Sequence, residues 1–312
     1  MIRGNLLVGL ISFLLIVNVS AVSSATFTMT NKCNLTVWPA IISSSATSTG
    51  ISPLNTTGFP LPKDESRILT VPSSWTGRLW GRTHCSSDST GNFSCISGDC
   101  GSGKVECSGG GATPPLATLA EFSLNALSGL DFYDVSFVNG FNLPMLVVPK
   151  GGKSGNCSTT GCVVNLTEVC PNDLKVTSQD GSKVACKSAC QAFGDPQYCC
   201  PGNRNSCKPS IYSEFFKKSC PRAHSYALDD ATSTFSSASA NYVITFCPPL
   251  STIKRGTKTP EAASGGKSPE VVGVSSSSPQ PVSWVQFLGG AVSLYISTSS
   301  SGSSLWRNII LF

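Results

Sequence analysis

Between residues 26 and 247 the chain is written in short runs where apolar and polar side chains alternate, split by turn residues. Phe27-Thr28-Met29-Thr30, Leu35-Thr36-Val37-Trp38, Arg67-Ile68-Leu69-Thr70-Val71 and Arg78-Leu79-Trp80-Gly81-Arg82 each carry the period of a half-buried strand. Residues 118–124, 132–138, 146–148 and 242–246 read the same way. No long amphipathic helix separates them, so the pattern predicts a mainly β antiparallel sandwich. The alternation also assigns faces. In 118–125, Ala120, Phe122 and Leu124 lie on one side and Glu121, Ser123 and Asn125 on the other. In 132–138, Tyr133, Val135 and Phe137 oppose Asp134 and Ser136, and Arg78, Trp80 and Arg82 share a face. Neighbouring strands can thus present carboxylates on a polar sheet face. Between Cys157 and Cys220 the pattern changes. Cysteines crowd together, Cys199 and Cys200 are adjacent, and 183–193 and 210–217 are helix-compatible. This stretch reads as a disulfide-held subdomain with too little apolar content to stand alone.

Composition sharpens that picture. The chain has 312 residues with 15 cysteines, an odd number, so pairwise bonding leaves a thiol over. Only 12% of residues are charged and the formal net charge is +5, without a Lys/Arg block, which excludes nucleic acid as a partner. At the N-terminus Arg3 precedes an apolar stretch, residues 6–19, that ends in Ser23-Ser24-Ala25. Residues 1–25 are read as a secretory signal peptide, too short for a span of about 20 residues. Export accounts for the cysteines, since an oxidising compartment lets disulfides persist. It also makes five N-x-S/T sequons usable, at Asn34, Asn55, Asn92, Asn156 and Asn165. Residues 26–248 then form the folded domain and 249–283 a Ser/Pro-rich linker. The apolar tail, 284–312, resembles a GPI-attachment signal, although a serine run and Arg307 interrupt it. The alternative is a plain extension, retained or clipped.

Gly91-Asn92-Phe93-Ser94-Cys95-Ile96-Ser97-Gly98-Asp99-Cys100, followed by Cys107, closely resembles the signature of the thaumatin-like family, with Ser97 where threonine is usual. Matching motifs follow in order: Thr26-Phe27 to Asn31-Lys32-Cys33, Trp80-Gly81-Arg82-Thr83, Leu119-Ala120-Glu121-Phe122, Asp131-Phe132-Tyr133-Asp134 and Gly140-Phe141-Asn142-Leu143-Pro144-Met145. Tyr198-Cys199-Cys200, Phe215-Phe216-Lys217, Ser225-Tyr226-Ala227 with Asp229-Asp230, and Phe246-Cys247-Pro248 complete the set. The resemblance to this plant, pathogenesis-related type implies a sandwich with a disulfide-rich loop/helix subdomain and a smaller disulfide-held loop subdomain. It implies the pairs Cys33–Cys247, Cys85–Cys95, Cys100–Cys107, Cys162–Cys220, Cys170–Cys186, Cys190–Cys199 and Cys200–Cys207; spacing alone leaves the connectivity open. One further family pair would join Cys157 to the segment that here reads Thr234-Phe235-Ser236-Ser237, so Cys157 is expected to lack a partner.

The resemblance also implies a β-1,3-glucan-binding groove lined by Arg78, Glu121, Asp134, Asn139 and Asp230, one of the family's acids being an amide here. Read from the residues alone, these are solvated sheet-face side chains or structural ion pairs. The carboxylates could serve as hydrogen-bond acceptors for sugar hydroxyls, or Glu121 and Asp134 as a glycosidase pair. Asn139-Gly140 also reads as a hairpin turn. Gly98 to Lys104 matches a phosphate-loop spacing by chance, with Val105 where Ser/Thr is required. His84 and His224 are read as surface or hydrogen-bonded residues, and the cysteines as disulfides rather than metal ligands. The expectation is a secreted or cell-surface, monomeric defence protein that binds cell-wall β-glucan and needs no cofactor or metal. The alternatives are an endo-β-1,3-glucanase and a non-catalytic surface protein whose partner is another protein.

Overall fold

The computed structural model describes residues 24–44, 54–107, 116–201 and 207–251. Residues 1–23 and 252–312 lie outside the described residues, and so do the expected signal peptide, Ser/Pro-rich linker and GPI-attachment signal placed largely on them. Thirteen strands are described. One sheet has the order β3-β1-β13-β8-β9, from β1 (Ser24–Asn31), β3 (Ser66–Pro72), β8 (Met145–Lys150), β9 (Thr160–Cys162) and β13 (Asn241–Phe246). The other runs β12-β7-β6-β4-β2, from β2 (Trp38–Ser43), β4 (Thr76–Ser87), β6 (Leu119–Leu127), β7 (Leu130–Ser136) and β12 (Phe235–Ser237). The far half of β4 leaves that sheet to pair with β5 (Phe93–Ser97), where Cys85 faces Cys95.

The two sheets bury their apolar faces against each other. In β1 every second side chain is buried (Ala25, Phe27, Met29, Asn31), and β6 and β7 contribute Ala120, Phe122, Leu124, Tyr133 and Val135. The centre is aromatic. The Phe27 and Phe122 ring centroids are 4.6 Å apart, and Tyr242 meets Phe122 at 5.0 Å and Tyr133 at 5.1 Å, both edge-on. Asn31, fully buried at the end of β1, is saturated: its amide nitrogen donates to the Leu35 and Leu61 carbonyls and its oxygen accepts from the Cys33 N–H.

Four features differ from the sequence pattern. The sandwich is not wholly antiparallel, because β1 and β13 run parallel, Phe27 opposite Tyr242 through Asn31 opposite Phe246. The strand expected at 35–38 starts at Trp38 instead; Val37 forms only an isolated bridge to Leu61. The helix expected over 183–193 is split. Lys183–Cys186 is β11, paired with β10 (Lys175–Thr177), and α1 (Ala189–Phe193) starts where the Ser188 hydroxyl accepts the Gln191 N–H. Finally, Asn139-Gly140 turns the chain from one sheet toward the other rather than closing a hairpin, since β7 and β8 belong to different sheets. Gly140 sits at φ +88°, and a Cβ there would lie 2.3 Å from Leu116.

The small subdomain is built from β10, β11, α1, α2 (Pro196–Cys199) and α3 (Ile211–Ser219). A Ser210/Ser213 capping box opens α3, and Phe216 anchors it in the core. Disulfides Cys170–Cys186, Cys190–Cys199, Cys200–Cys207 and Cys162–Cys220 staple this region. Cys85–Cys95 and Cys100–Cys107 hold the second loop region, and Cys33–Cys247 joins the ends of β1 and β13.

Candidate functional site

Arg78 on β4 lies directly opposite Glu121 on β6, which lies directly opposite Asp134 on β7. Cross-strand partners point to the same face, with Cβ atoms about 5 Å apart, so the three form one continuous row on the face turned away from the sandwich core. His224 extends the same face. It forms an isolated parallel bridge with Ser136, its N–H donating to the Val135 carbonyl and its carbonyl accepting from the Phe137 N–H. Asp230 opens α4 (Asp230–Ser233) and acts electrostatically on both Asp134 and His224.

The row is not a solvated surface. Asp134 is buried, Arg78 and Glu121 are half-buried, and Asp134 Oδ2 has no hydrogen-bond partner among the described residues. Burial pushes the Glu121 carboxyl up to about 7 from its ordinary 4.5, with the Arg78 guanidinium opposing part of the rise. The Asp134 carboxyl is pushed well above its ordinary value, first by burial and then by the neighbouring Glu121 and Asp230 carboxylates. Both carboxyls are thus raised, and Glu121 has the Arg78 guanidinium directly across the strand pair. Burial likewise holds His224 below the usual imidazole range, against the pull of Asp230 and Asp229, and its Nε2 lies 3.1 Å from the Thr234 hydroxyl.

Asp229, next to Asp230, belongs to a separate structural network. Its Oδ2 accepts from Lys217 Nζ at 2.8 Å and from the Ser225 N–H and hydroxyl. Asn139 is half-buried in the turn after β7, and no described contact joins it to the row. Trp80 and Arg82, which the alternation places on the same face as Arg78, are fully buried under the 98–107 loop. Trp80 Nε1 donates to the Gly98 carbonyl at 2.7 Å, and the Arg82 guanidinium donates to the carbonyls of Trp38, Pro39, Lys104 and Val105 while lying over the Phe93 ring. The open part of this face is therefore confined to the Arg78–Glu121–Asp134 end. Sequence reasoning missed the place of His224 there, because a single isolated bridge leaves no alternating run to read.

Away from the row, Cys157 is the free cysteine among the described residues, half-buried at φ +40°, with its sulfur 3.3 Å from the Ser237 hydroxyl. His84 is exposed. The five sequon asparagines within residues 26–248, Asn34, Asn55, Asn92, Asn156 and Asn165, are exposed.

Comparison with known proteins adds independent findings. The profile described as Thaumatin family matches residues 31–248. A "Thaumatin-like protein 1" of Arabidopsis thaliana is 53% identical over 235 residues, covering 72% of this chain and 87% of that protein. A "PR5-like receptor kinase" of the same plant is 54% identical over 237 residues, 74% of this chain but only 35% of the kinase's length. A Prunus avium protein named "Glucan endo-1,3-beta-glucosidase" is 49% identical over 239 residues, 75% of this chain and 95% of that protein.

Proposed function

The chain belongs to the thaumatin family, and on that premise we propose that it is a secreted or cell-surface defence protein that binds cell-wall β-1,3-glucan through the Arg78–Glu121–Asp134 row. The observation that carries the reading is the row itself: three polar side chains in register across adjacent strands, with a buried carboxyl oxygen, Asp134 Oδ2, left without a partner. A buried polar atom without a partner is costly, and a sugar hydroxyl would relieve that cost. Arg78 supplies donors, Glu121 and Asp134 supply acceptors or, when protonated, further donors, and Asp230 adds a carboxylate beside Asp134.

Hydrolysis is the second reading, supported by the two raised carboxyls and by the name of the Prunus avium relative. Direct cross-strand pairing sets the two Cβ atoms about 5 Å apart, near enough for both carboxyls to reach one glycosidic bond. In this reading Glu121, opposite the Arg78 guanidinium, would be the nucleophile and Asp134 the acid. Glu121 is ionised only above about pH 7, so hydrolysis would rise with pH through that value.

The test is titration of laminarin into the purified secreted domain, with reducing-sugar release followed in parallel, for the parent and for Glu121→Gln and Asp134→Asn. The expected result is binding that weakens about tenfold or more in either variant, without sugar release. Sugar release that both variants abolish would establish the enzyme. Absence of glucan binding by the parent protein would overturn the proposal.

A further inference from the structure

A groove of about 170 Å³ lies on the side of the domain where β1 and β13 end. It is lined by the Cys33–Cys247 disulfide, Leu143, Pro144 and the Glu168–Lys183 ion pair, 3.0 Å apart. Cys247 is only half-buried, so the groove opens onto the bond that ties together residues 214 positions apart. Two of the five sequons within residues 26–248, Asn34 and Asn165, line this same depression, although they are remote in sequence.

Both asparagines are exposed, and neither side-chain nitrogen donates a hydrogen bond to a described residue. The Asn165 oxygen accepts from the Thr167 N–H at 3.3 Å and from the Thr167 hydroxyl at 2.9 Å, which leaves its nitrogen directed elsewhere. A sugar joined to Nδ2 of either residue therefore displaces no internal bond. The other three sequons line none of the described cavities.

We propose that N-glycans on Asn34 and Asn165 close over this groove and shield the Cys33–Cys247 disulfide. In each transfer Nδ2 bonds to the sugar C1, the amide proton is lost, and a lipid-linked diphosphate leaves from the glycan donor of the secretory pathway. The sugars join the unfolded chain; folding then brings the two together over one depression. Their N-acetyl and ring faces cover Leu143 and Pro144, and their bulk blocks a reducing thiol from the half-buried Cys247 sulfur. The inference rests on passage through the secretory pathway and not on the glucan reading.

The experiment uses full-length chain expressed in a secreting plant cell line. Glycopeptide mass spectrometry gives occupancy at each sequon, and dithiothreitol reduction of Cys33–Cys247 is timed by alkylation and peptide mapping. Both Asn34 and Asn165 are expected to be occupied. Asn34→Gln, Thr36→Ala and native trimming by an endoglycosidase should each speed reduction several-fold, while Asn55→Gln leaves the rate unchanged. Trimming covers the case in which a substitution at Asn165 disturbs its own turn. An empty Asn34 or Asn165 beside occupied sequons elsewhere would overturn the proposal, as would an unchanged reduction rate after trimming. Absence of glycan from all five sites would likewise overturn the proposal.

Discussion

Arg82 shows how far a single residue can depart from its face. Alternation groups it with Arg78, yet it is 1% exposed and spends its donors on four backbone carbonyls instead of a ligand. Burial lowers its pKa to about 10, while Asp99 and Glu106 act to raise it. Its role is to anchor the 98–107 loop to β2. Replacement by Met keeps the bulk but removes these donors. The Pro39 and Lys104 carbonyls keep the Phe59 N–H and the Ser102 hydroxyl, while a buried carbonyl left without a donor costs about 1–3 kcal/mol. The expected outcome is a clear fall in melting temperature together with rapid proteolysis inside the 98–107 loop, read by limited digestion. Glu121 is the opposite case. Its face was legible from the period-two pattern, but its raised pKa was not, because desolvation depends on what packs over a carboxyl and not on its neighbours in sequence.

Among the elements, β6 and β7 were legible because their alternation is long and one face is strongly apolar. The short pieces were not. β12 has three residues, Phe235–Ser237, and exists because it pairs with Tyr133, Phe132 and Asp131 at the sheet edge. Likewise β11 reads as helix-compatible until β10 supplies its partner. At β12 the Ser237 hydroxyl faces the Cys157 sulfur at 3.3 Å, linking the strand to the loop before β9 only weakly. Ser237→Cys should therefore form a disulfide with Cys157. Chain entropy for a loop of 80 residues sets an upper bound of about 4 kcal/mol on the gain, and the cross-links already present reduce it. The measurement is a shift of the denaturation midpoint to higher denaturant, accompanied by loss of one titratable thiol. A retained thiol would show that the geometry does not permit closure.

Over the whole molecule, two consequences follow from tertiary placement. The first is pH dependence. Glu121 and Asp134 bind their protons more tightly folded than unfolded, so between about pH 4.5 and 7 the native state holds protons that the unfolded chain has released. This contribution to stability is present at acid pH and is lost as pH rises through that window. His224, held below the usual imidazole range, acts the other way over part of this window, so the check is the difference in slope. From pH 5 to pH 7.5 the denaturant midpoint of Glu121→Gln should gain relative to the parent, and an unchanged difference would mean that Glu121 is not desolvated. The second is the clasp. Cys33–Cys247 closes the parallel β1–β13 pair, the most non-local contact of the fold, and the loop-entropy model assigns such a bond about 5 kcal/mol.

The sequence by itself determined the longer strands, the side chains that face the core along β1, β6 and β7, and the face carrying Arg78, Glu121 and Asp134, because side-chain alternation is a local property of an extended chain. Its ordered motifs also carried the family resemblance. Only the tertiary structure decided that those three residues stand in register, that His224 joins their face while Trp80 and Arg82 are sealed beneath a loop, that β1 and β13 run parallel, and that Asn34 and Asn165 share one groove. Each of these depends on strand register, burial or the approach of distant segments, none of which is encoded in the spacing of residues along the chain.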